Sequence, residues 1–67
     1  MLFVGVDGAD VGDNRAPTGP SSVGVELRGV MSAHIHGNDF GAAKATYSRN
    51  AACGPIESSG NTPERAG

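Results

Sequence analysis

Between Val23 and His36 the chain alternates apolar and polar residues almost without a break. Val23, Val25, Leu27, Gly29, Met31, Ala33 and Ile35 take the odd places. Gly24, Glu26, Arg28, Val30, Ser32, His34 and His36 take the even ones. A period of two predicts a half-buried β-strand, or two collinear ones. Gly29 interrupts the pattern and marks a bulge or bend. Residues 2–6, LFVGV, place Leu2, Val4 and Val6 on one face, and Asp7-Gly8 ends this shorter strand.

Other segments are less regular. Residues 8–22, GADVGDNRAPTGPSS, are punctuated by Gly and Pro and predict a loop. Residues 40–53 predict a helix: Asn38 or Asp39 supplies an N-cap, Phe40, Ala43, Tyr47 and Ala51 share one face, and Gly54-Pro55 forms a stop. Residues 54–67 hold one strongly apolar residue, Ile56, and predict a disordered tail. No internal repeat emerges from these patterns.

The expected fold is therefore a small α+β domain over residues 1–53. A β-hairpin or two-stranded sheet (2–6 and 23–36) carries one C-terminal helix (40–53), with a long 8–22 loop and a disordered 54–67 tail. Its core would hold Val4, Val6, Val25, Leu27, Met31, Ile35, Phe40 and Tyr47. Two strands are not stable alone, so a homodimer pairing the long strand's open edge is expected to complete the fold.

Composition sharpens this expectation. Leu, Ile, Val and Phe number twelve of 67 residues, so the core is thin, and eleven glycines add backbone entropy to the cost of folding. Chains this short usually need a disulfide, a metal or a partner. Cys53 is the only cysteine and excludes an internal disulfide. The formal charge of −2 is too small to steer partners, and the five basic residues form no stripe, which argues against nucleic acid. No window approaches the roughly 18 apolar residues of a membrane span, and MLFVGVDGAD lacks the basic start of a signal peptide. The expectation is a soluble cytoplasmic protein.

The remaining chemistry centres on His34 and His36. On a strand, residues i and i+2 point the same way, and two neutral imidazoles suit zinc or another transition metal. Asp39 is the nearest further ligand in sequence, with Glu26 and Cys53 as others. The competing reading is that alternation simply demands polar residues at these positions. The string Ala33–Gly37, AHIHG, resembles the His-x-His strand of copper–zinc superoxide dismutases and a string in CHRD-type extracellular domains. The resemblance covers five residues. Both families use β-domains longer than this chain, and the dismutase site needs histidines beyond these two.

Three other features reduce to local structure. Asp7, Asp10 and Asp13 recur every third residue, which is not the calcium-loop spacing and reads as turn chemistry. Gly5, Gly8 and Gly12 do not form a dinucleotide fingerprint, because prolines follow where a helix is required. Cys53 lies at the negative end of the expected helix, which disfavours a thiolate. No nucleophile, base and stabiliser assemble from named positions, so an enzyme is not expected. The sequence favours a small non-enzymatic protein acting by association, as a homo-oligomer or as accessory to a larger partner. The alternative is a metal-binding module built on the His-x-His pair.

Overall fold

The computed structural model describes residues 1–66 as a stack of parallel coils. Eight short strands follow one another: β1 (Leu2–Val4), β2 (Ala9–Gly12), β3 (Arg15–Thr18), β4 (Val23–Arg28), β5 (Ala33–His36), β6 (Asp39–Gly41), β7 (Ala45–Arg49) and β8 (Ile56–Ser59). They pair in three sheets, β1-β4-β7, β2-β5-β8 and β3-β6. All pairings are parallel. Leu2 stands beside Glu26, Ala9 beside Ala33 and Arg15 beside Asp39, a step of 24 residues that shifts by one within β3, where Thr18 stands beside Gly41. The next step is slightly shorter, with Val23 beside Ala45 and Ala33 beside Ile56. The chain thus winds through about three coils of a β-solenoid, in which each coil buries its inner face on its neighbours.

This architecture overturns the expected α+β fold. Among the described residues no helix forms. Within the expected helix, residues 40–41 belong to β6 and residues 45–49 form β7. The alanines favour a helix, but Gly41, Thr46, Ser48 and Asn50 weaken it. Pairing with β4 and burial of Phe40, Ala43, Ala45 and Thr46 decide in favour of strands. The 8–22 loop contains β2 and β3, and the expected tail contains β8, which pairs with β5. The first strand does pair with the long one, but in parallel and not as a hairpin. The long strand breaks into β4 and β5 at a bend that begins at Gly29, whose φ is +62°. Both edges of β4 are occupied, so it offers no open edge for a dimer. Val4 and Met31, expected in the core, are exposed.

The interior is a set of rows running along the stack. Val25, Leu27, Val30, Ile35 and Phe40 of the middle coil are fully buried. Burying such a side chain contributes about 1.5–3 kcal/mol. Phe40 reaches across to the backbone of Gly24, where any Cβ would collide with its ring. One corner is polar. Asn14, Asn38 and Asn61 follow Asp13, Gly37 and Gly60, and all three preceding residues have φ between +54° and +66°. The N–H and Nδ2 of Asn14 donate to Asn38 Oδ1, each at 3.0 Å. The N–H and Nδ2 of Asn38 donate in turn to Asn61 Oδ1, at 3.0 and 2.9 Å. This amide ladder gives the Asn14 and Asn38 N–H groups side-chain acceptors.

Candidate metal centre

The strands β2 and β5 lie side by side and alternate in phase. Ala9, Val11, Ala33 and Ile35 point inwards and are buried. Their neighbours in sequence therefore face solvent. The parallel register sets Asp10 beside His34 and Gly12 beside His36. Gly12 has no side chain, and the His36 ring lies over its α-carbon, in the space a Cβ would fill. From there His36 Nε2–H donates to Asp10 Oδ1 at 2.7 Å. The two imidazoles are tilted by 38° with centroids 4.5 Å apart.

One ligand atom from each of Asp10, His34 and His36 lies within 4.8 Å of the other two. Two imidazoles and a carboxylate are a donor set that fits zinc and its first-row neighbours. Tetrahedral zinc with bonds of about 2.0–2.1 Å sets its ligand atoms about 3.3 Å apart, so the widest separation in the cluster needs to close by at most about 1.5 Å, and an ion would replace the hydrogen bond between Asp10 and His36. The Asp10 side chain is 76% exposed, so its hydrogen bond with His36 competes with water and adds little stability of its own. On the far side of His34 stands Glu57 of β8. Asp10, His34, Glu57, Ser32 and Pro55 border an open groove of about 350 Å³ next to the cluster.

The histidine pair thus sits on the solvent face, as the alternation predicts. Asp39 stands on β6, in a different sheet, and its Oδ1 accepts the Gly41 N–H at 2.9 Å; it is not among the clustered groups. Glu26 is on β4 and pairs with Arg28 at 3.2 Å. Cys53 closes the turn after β7, half-buried, its thiol donating to Asn50 Oδ1 at 3.3 Å. The third member of the cluster is Asp10, whose spacing with Asp7 and Asp13 reads as turn chemistry. A signal for it exists. The strings ADVGDN (9–14), AHIHGN (33–38) and IESSGN (56–61) align, and the first two place Asp10 and His34 at the same position of successive coils. Comparison with protein-family models, curated proteins and solved structures finds no match.

Proposed function

We propose that this chain binds a divalent transition metal, with zinc the best fit, through Asp10, His34 and His36. It does so as a binding module without turnover. The observation that carries the reading is the convergence of three ligand atoms from two adjacent coils within 4.8 Å. Three protein ligands leave a coordination position open, and the adjoining groove gives water or a small exogenous ligand room there.

Two features bear on affinity. The ligands stand on strands whose inner faces are buried, so the backbone that presents them is rigid. Among the described residues, however, no carboxylate or carbonyl hydrogen-bonds the His34 ring, although Glu57 stands beside it. Such outer support is typically worth 10–100-fold in affinity. The site is therefore expected to bind more weakly than a fully supported one. The core and the amide ladder lie elsewhere, so binding adds to a fold that is already formed.

Calorimetric titration of zinc into the chain tests this reading. One equivalent should bind, and His34→Ala, His36→Ala and Asp10→Asn should each reduce the affinity by at least about tenfold, the loss expected where even an outer-shell partner is removed. Asp39→Asn should leave it unchanged. Binding that survives Asp10→Asn but is lost in Asp39→Asn would reject this ligand set.

A further inference from the structure

Asp10, His34 and Glu57 stand in one row across β2, β5 and β8, at the same register position of three successive coils. All three are exposed. His34 therefore has a carboxylate-bearing neighbour on each side. The Asp10 carboxylate is engaged, since it accepts from His36 and belongs to the ligand set. Among the described residues Glu57 takes part in no ion pair.

The cluster gathers over β2 and β5. Asp10 rises from β2, and the His36 ring leans over Gly12 of the same strand. Glu57 lies on the other side of β5, so His34 stands between it and the cluster. An imidazole that gives one nitrogen to a metal turns the other away from it, as an N–H that needs an acceptor. Neighbouring strands are about 4.8 Å apart, a gap that a glutamate side chain spans. Other polar groups bordering the groove are already used. Ser32 Oγ donates to the Asp7 carbonyl at 3.2 Å, and the Pro55 carbonyl accepts the Ala33 N–H at 3.1 Å.

We infer that Glu57 is a positioning residue for the metal site: its carboxylate accepts the ring N–H of His34 when His34 gives its other nitrogen to the ion. The inference rests on the ligand set proposed above. The bond forms on loading and is absent beforehand, so ordering the Glu57 side chain offsets part of its gain. Both groups also face water. The effect is therefore expected at the lower end of the range for such outer partners, about tenfold in affinity.

Zinc titration of Glu57→Ala, beside the unmodified chain and His34→Ala, tests the inference. Glu57→Ala should bind zinc about tenfold more weakly, while its metal-free Tm stays that of the unmodified chain. Glu57→Gln keeps an acceptor oxygen but loses the charge, and its affinity should fall between the two. In proton–nitrogen NMR spectra of the zinc-loaded chain the His34 ring N–H should exchange slowly with water, and in Glu57→Ala it should exchange faster. Cobalt(II) in place of zinc should give both chains the same visible absorption, because Glu57 lies outside the coordination sphere. Should circular dichroism show Glu57→Ala unfolded, Glu57→Gln carries the same measurements. Equal affinity, or equal exchange of the His34 ring N–H, would overturn the role of Glu57 and leave the ligand set standing. A changed cobalt spectrum would make Glu57 a ligand and overturn it too. An unmodified chain that binds no zinc would overturn both readings together.

Discussion

Gly12 and His36 share one volume: the imidazole of His36 lies over the Gly12 α-carbon, and its Nε2 is thereby held 2.7 Å from Asp10. A methyl group at position 12 would displace the ring. Gly12 is not among the residues with positive φ, so alanine meets no backbone strain there. Gly12→Ala is therefore expected to keep the fold and to weaken zinc binding by about tenfold or more, in the range of a lost supporting contact. Calorimetry on the variant, beside its circular dichroism spectrum, checks both halves of the statement.

Metal binding to the folded chain alone has a thermodynamic signature. At a free zinc concentration 100 times the dissociation constant, the fold should gain about 2.7 kcal/mol. For a domain of this size that corresponds to a rise in Tm of roughly 10 °C or more. Thermal unfolding with zinc and then with excess chelator should show the rise and its reversal. His36→Ala should remove the rise while changing the metal-free Tm much less, because His36 lies over Gly12 on the outer face, outside the buried rows. A metal-free chain that is unfolded would contradict the independence of core and site.

The amide ladder makes a different prediction. Asn38 is 2% exposed and joins both neighbouring coils, with Nδ2 donating to the Val11 carbonyl at 2.9 Å as well as to Asn61. Asn38→Ala removes the acceptor of the Asn14 N–H and Nδ2 and the Nδ2 bonds to the Val11 carbonyl and Asn61 Oδ1. Each lost hydrogen bond is worth about 0.5–1.5 kcal/mol net. Urea unfolding should show a loss of at least that size. Asn38→Asp keeps an oxygen but removes the Nδ2 donor, and should also destabilise.

Two glycines separate packing from composition. A Cβ at Gly24 would enter the Phe40 ring, whereas one at Gly19 meets nothing within 4 Å. Overpacking of this kind costs about 1–3 kcal/mol. Gly24→Ala should lower the urea midpoint markedly, and Gly19→Ala should leave it unchanged or slightly raised, since alanine restricts the unfolded chain. Equal effects would place the Phe40 ring elsewhere.

The sequence by itself determined the alternation from Val23 to Ile35, the bend at Gly29 and the outward direction of His34 and His36. These follow from the two-residue period of a strand, which a short window displays. It did not reveal the all-β fold, because 40–53 carries residues acceptable to either structure and only its neighbours decide. Phe40 turns inwards over Gly24, and Thr46 meets the returning Arg65. Nor did it make the coils plain, since strands of three to six residues broken by Gly, Pro and Asn corners look like loops when taken one at a time. The repeat is written in the three aligned strings that end in Asn14, Asn38 and Asn61, but as spacing and type rather than identity. The third ligand shows the division most clearly. Asp39 is three residues from His36 yet lies in another sheet, while Asp10, 26 residues away, accepts its hydrogen bond. Parallel stacking brings together residues one coil apart, and separation along the chain within a coil carries them around the corner to a different face.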